Sequence, residues 1–165
     1  MKKIFFALII IFFFSGCVQE FPLEVGSSTE IEIEYRIISG PGEYNKYLII
    51  RNDGSVDVSG TQNVTQTDGL IVEPLNYRYF GSITRNELEE LTQFIIDSDF
   101  FDSDFFDALI GPEAPIDVIK VKINGKTKTV RVALTQNSNP KIFLVKIKLT
   151  DLMNKIIEEG KNKRR

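Results

Sequence analysis

From Thr29 onward the chain alternates strictly: Ile31, Ile33, Tyr35 and Ile37 fall on one side, and Glu30, Glu32, Glu34 and Arg36 on the other. A period of two predicts a half-buried strand. Ser39-Gly40-Pro41-Gly42 then turns the chain. Tyr47 to Arg51 and Ser55 to Ser59 flank Asn52-Asp53-Gly54, a hairpin signal because Asp and Gly tolerate the positive φ angles of tight turns. Gly60 to Gly69 is polar, with Asp68 its single charge, and reads as an exposed loop. Leu75 to Ile83, rich in aromatic residues, predicts a further strand beside this hairpin.

The period then changes. Thr84 and Glu87 have the spacing of a capping box, which satisfies orphan N–H groups at a helix start, and Leu88, Leu91 and Ile95 follow at helical spacing to about Ser98. Asn124-Gly125 predicts the two-residue turn of a second hairpin, in which Ile119 faces Val130 and Val132 and Leu134 extend the apolar side of Val121 and Ile123. Lys120, Lys122 and Arg131 occupy its wet side. Asn139 and Pro140 open a second helix whose buried stripe is Val145, Leu149, Leu152, Met153 and Ile156, with Gly160 as its stop. The order strands, helix, hairpin, helix predicts an α+β fold: an antiparallel sheet of four to six strands with two helices packed on one face.

The amino terminus follows another logic. Lys2 and Lys3 precede an apolar run of eleven residues, Ile4 to Phe14. That is the length of a signal-peptide core and well short of the ~20 residues of a membrane-crossing helix. Phe14-Ser15-Gly16-Cys17 resembles the lipobox of bacterial and archaeal lipoproteins, with Phe14 where Leu is usual. The resemblance implies cleavage between Gly16 and Cys17 and a diacylglyceryl thioether on the Cys17 sulfur. Two acyl chains hold a protein stably on a membrane where one does not. The expected organisation is a signal peptide at 1–16, lipidated Cys17 and a tether to residue 28, one α+β domain at 29–160 and a basic tail at 161–165. Localisation on the extracytoplasmic face of a membrane follows.

Composition narrows the chemistry. The 165 residues carry a formal charge of −3, and removal of Lys2 and Lys3 leaves 18 basic against 23 acidic residues. An acidic domain lacks the surplus of Lys and Arg that nucleic-acid binding requires. His is absent and Cys17 is the single cysteine, so neither disulfides within the domain nor the usual structural zinc sites are expected.

No metal site, catalytic residue or small-molecule cofactor is assigned. The acidic, aromatic stretch Asp97 to Asp107 lacks the glycine turn and terminal Glu of an EF-hand loop. Its Phe residues are expected to plug the core while its Asp residues face water. Glu113 and Asp117, near Gly111-Pro112, are the candidate carboxylate pair of an envelope hydrolase, but no motif pairs them. Asn63-Val64-Thr65 is a glycosylation sequon, which makes Asn63 a candidate modification site.

Tyr35 through Asp117 resembles a family of small domains in bacterial and archaeal secreted proteins and lipoproteins. The resemblance rests on Gly40, Gly42, Tyr47, Asp53-Gly54, Gly81, Phe100-Phe101 and Asp117. Many members carry a cysteine pair in the first loop, where this chain has Ser39 and Glu43, so a redox or metal role there does not carry over. The strand, helix and hairpin order is also similar to emfourin, a small metalloprotease inhibitor, which implies a protein partner. The expected function is that of a non-catalytic envelope lipoprotein binding another protein through loops at Ser39 to Lys46 and Gly60 to Gly69, exposed loops on a rigid scaffold being the common seat of recognition. A carboxylate-dependent hydrolase and a structural spacer are the alternatives.

Overall fold

The computed structural model describes residues 25–26, 28–38, 45–65, 71–103, 116–133 and 140–163. The strands are β1 (Ile31–Ile38), β2 (Lys46–Ile50), β3 (Ser55–Thr65), β4 (Ile71–Ser82), β5 (Ile116–Ile123) and β6 (Lys126–Ala133). Helix α1 (Arg85–Asp97) lies between β4 and β5, and α2 (Pro140–Asn162) follows β6. The described strands form one six-stranded antiparallel sheet in the order β4-β3-β2-β1-β5-β6. The first four strands meander outward from β1, and the second hairpin attaches to its free side.

Alternation within each strand becomes ranks of side chains across the sheet. Tyr79, Val58, Leu48, Tyr35, Ile119 and Val130 are successive cross-strand partners, and Gly81, Val56, Ile50, Ile33 and Val121 form the adjoining rank. These ranks, apart from Tyr79 and Gly81 of β4 and the edge position Val130, are almost fully buried. Leu88 and Ile95 of α1 and Val145, Leu149, Met153 and Ile156 of α2 share one core with them, so both helices cover the same face. Antiparallel sheets tolerate water on the other face, and here it carries Glu30, Glu34, Arg36, Arg78 and Lys122.

Local chemistry fixes the corners. Gly54 has φ +78°, and Asn124 and Gly125 have φ +48° and +82°, the left-handed pair a two-residue hairpin turn demands. Asn124 also locks that turn to the start of β1: Glu30 N–H donates to its Oδ1 at 2.9 Å, and its own N–H donates to Glu30 O at 2.9 Å. At α1 the capping box is complete, with Glu87 N–H donating to Thr84 Oγ1 at 3.2 Å and Thr84 N–H to Glu87 Oε2 at 2.7 Å.

Helix α2 crosses the sheet diagonally. Lys146 meets Asp117 of β5, Thr150 meets Tyr35 of β1, and Ile156 and Gly160 reach Gly81 and Tyr79 of β4. Gly160 does not stop the helix, which continues to Asn162. A Cβ at Gly160 would lie inside the Tyr79 ring, and one at Gly81 inside the Ile156 side chain. Glycine is therefore used within the helix for close packing. The expected loop at Gly60 to Gly69 is also corrected over its first six residues: β3 runs through Gly60 to Thr65 and pairs with β4, with a register shift between Gln62 and Val64, while 66–69 lie outside the described residues. Ladder hydrogen bonds need only backbone groups, so polar residues can carry the hairpin beyond the core.

The expected tether reaches the domain by residue 25. Val25 packs against the core, and Arg85 donates to the carbonyls of Gly26 at 2.8 Å and Thr29 at 3.2 Å.

Substituting Gly160→Ala separates packing from propensity. Intrinsic preference favours Ala inside a helix by ~1 kcal/mol, whereas overpacking against Tyr79 costs ~1–3 kcal/mol. Urea unfolding should show the variant destabilised; a stabilised variant would refute the close approach.

Candidate functional site

Three polar assemblies stand out, and they differ in access. The first lies beneath α2. Asp117 is 3% exposed, and Lys146 Nζ lies against its Oδ2 outside hydrogen-bonding angles, so the contact is ionic. One strand over, Tyr35 Oη and Thr150 Oγ1 share a hydrogen bond of 3.0 Å. Burial, and then the Asp117 charge, push the Tyr35 pKa up. This group ties helix to sheet and is closed to substrate. Asp117 therefore sits where a hydrolytic carboxylate could not reach a polymer, and Glu113, its expected partner, lies outside the described residues.

The second assembly is the solvated face. Arg78 makes a two-pronged contact with Asp57, Arg51 approaches the same carboxylate at 3.6 Å, and the Arg78 guanidinium lies 4.9 Å from the centroid of the Phe80 ring. The hydrogen bonds from Arg78 hold the Asp57 carboxyl below its usual range. Lys120 donates to Glu34 at 2.6 Å, and that bond is the main cause of the lowered Glu34 pKa. Phe80 itself is 65% exposed.

The third is an open cleft of about 340 Å³ between the carboxyl-terminal half of α2 and the far ends of β2, β3 and β4. Lys46, Tyr77 and Tyr79 line it from the sheet, and Asn154, Glu158 and Lys161 from the helix. The two tyrosine rings are tilted by 34° with centroids 5.6 Å apart. Tyr77 Oη fits against Gly60, where any Cβ would collide, and burial is the main cause raising its pKa. Among the described residues Lys46, Lys161 and Glu158 make no ion pair. Ammonium groups, phenols and an amide on rigid elements are suited to holding a polar or acidic group. They supply no nucleophile with an adjacent base.

The other sequence-derived sites fall elsewhere. Gly16 and Cys17 lie outside the described residues. Asn63 is placed in β3, at the register shift. Phe100 is fully buried and Phe101 packs on the core, while Asp99 and Asp102 are exposed. Asp99 pairs with Lys141 at 2.6 Å. No three metal-ligating side chains converge among the described residues, and no described helix is long and apolar enough to cross a membrane. No family model matches the sequence, and no curated protein matches it.

Sequence reasoning missed the cleft. Lys46, Tyr77 and Tyr79 read as strand residues, and Asn154, Glu158 and Lys161 as the wet side of a helix. The one available signal was the Tyr-x-Tyr pair on the inward phase of β4, matched by a glycine, Gly160, within the helical pattern of α2.

Two measurements probe these assemblies. Asp117→Ala should cost ~3–5 kcal/mol because it strands the Lys146 charge, whereas Asp117→Leu with Lys146→Met should be neutral or stabilising. Equal losses would show that the pair itself holds the fold. Separately, the folded pKa values of Glu34, Asp57 and Glu87 lie below their unfolded ones. Their contribution is complete above the ordinary carboxylate pKa of about 4 and fades as pH falls through the lower folded values. The urea midpoint should therefore fall on acidification below about pH 4, and Arg78→Ala should flatten that fall. A midpoint that rises on acidification would contradict the assignment.

Proposed function

We propose that the chain is a lipid-anchored, non-catalytic binding protein of the cell envelope. Cys17 holds it on the extracytoplasmic face of a membrane, and its domain engages another protein at the end of the sheet where the cleft opens. The cleft is the observation that carries this reading. Its polar groups are displayed on packed secondary structure, and recognition favours such preorganised groups because little order remains to be imposed on binding. Lys46 and Thr61, at the ends of the two segments that the sequence marks for recognition, both border it. The burial of Asp117 beneath Lys146 weighs against the hydrolase alternative. Protease inhibition, which the likeness to emfourin implies, is one form that such binding would take.

Membrane fractionation and in-cell cross-linking test both halves. The wild-type chain should stay with membranes in high salt, and Cys17→Ser should release it. Lys46→Ala with Lys161→Ala should weaken capture of a cross-linked partner by about tenfold or more, as truncation of central contacts does. A soluble wild-type chain, or capture unaffected by loss of both lysines, would count against the proposal.

A further inference from the structure

The two outer strands of the sheet, among the described residues, are built differently. Strand β6 carries Lys126, Lys128 and Arg131 along its length, a distribution that discourages pairing with another strand. Strand β4 between Asn76 and Ser82 carries one charge, Arg78, and that guanidinium already sits on Asp57. Phe80 beside it projects into water from the solvated face.

The phase of the ladder shows which backbone groups β4 offers. Ile83 N–H donates to Gly54 O at 2.9 Å, and Thr61 N–H on the opposite phase of β3 donates to Asn45 O of the β2 side at 3.0 Å. Hydrogen-bonding direction alternates along an antiparallel strand. Tyr77, Tyr79 and Gly81 therefore face β3, and Asn76, Phe80 and Ser82 aim their N–H and C=O groups away from the sheet. On the helical side of the same edge, α2 arrives with Gly160 on the Tyr79 ring and Lys161 in the cleft wall. Lys163 follows.

We propose that β4 is a docking edge for an extended, acidic segment of a partner protein, which adds to the sheet beyond β4. This rests on the reading of the chain as a protein-binding module. Backbone bonds to Asn76, Phe80 and Ser82 supply the pairing, as in other cases of strand addition. Alternate side chains of the incoming segment point to opposite faces. Those on the helical side lie at the β4 wall of the cleft, where Lys161 and, deeper in, Lys46 outnumber Glu158 and favour carboxylates. Those on the solvated side meet Phe80, which selects apolar groups. The segment recognised thus alternates acidic and apolar residues.

Amide hydrogen exchange of the full chain in detergent tests this, with a synthetic peptide of alternating Val and Glu at millimolar concentration as the probe. Exchange at the Phe80 and Ser82 amides should slow by about tenfold or more, with no change along β6. Phe80→Pro, which removes the outward N–H, and Phe80→Glu, which adds a repulsive charge, should each abolish the effect; unaltered exchange elsewhere in the core shows that the variants fold. Unchanged exchange at Phe80 and Ser82, equal slowing along β6, or equal slowing by a Val and Lys peptide would overturn the proposal. If the edge fails while capture in cells still depends on Lys46 and Lys161, the docking mode falls and the binding function survives.

Discussion

The contact on which the rest of the structure depends is the diagonal seat of α2 on one face of the sheet. Apolar burial alone would let a helix settle at several positions along such a surface. Two polar contacts restrict it: Lys146 must find Asp117, and Thr150 must find Tyr35, because a buried polar group left without a partner is costly. The missing side chains of Gly81 and Gly160 then let the helix descend onto β4. With the helix fixed at both ends, the cleft walls and the β4 edge are positioned by the core.

The two faces of the sheet divide the work. The covered face supplies stability through one continuous core that draws on both helices and five of the six strands. The solvated face is ordered by charge. Asp57 is nearly buried among Arg51, Arg78 and neighbouring strands, and Glu34 takes hydrogen bonds from Arg36 and Lys120. Because the cations of these pairs are largely solvated, each pair contributes little, yet they align cross-strand neighbours and keep an open face from becoming an apolar patch. Phe80 interrupts that pattern on β4, in the stretch from Asn76 to Ser82 whose single charge, Arg78, already sits on Asp57.

Much of this was legible from residue order because each signal was local. The alternation from Ile31 to Ile37, the Asn124-Gly125 turn, the Thr84 and Glu87 cap and the stripe of α2 all act over a few residues, and the structure forms each as read. Two readings failed because they turned on distant partners. Gly60 to Thr65 is polar enough for a loop, but a backbone ladder with β4 makes it a strand. Gly160 carries the usual mark of a helix end, and only the Tyr79 ring on another element explains its place inside the helix. The cleft was illegible for the same reason, since its residues come from strands and a helix widely separated in sequence. The role of Asp117 was hidden too: nothing around it announces that Lys146, on α2, will cover it.

In the proposed function an acyl anchor at Cys17 carries this rigid module, so that the cleft and the β4 edge are presented at a membrane surface instead of diffusing freely. Intact-mass spectrometry of the protein extracted from membranes addresses that claim most directly. The account predicts a chain that starts at Cys17 and carries the added mass of a diacylglyceryl group. A chain that retains residues 1–16, or one that starts at Cys17 without lipid, would contradict it.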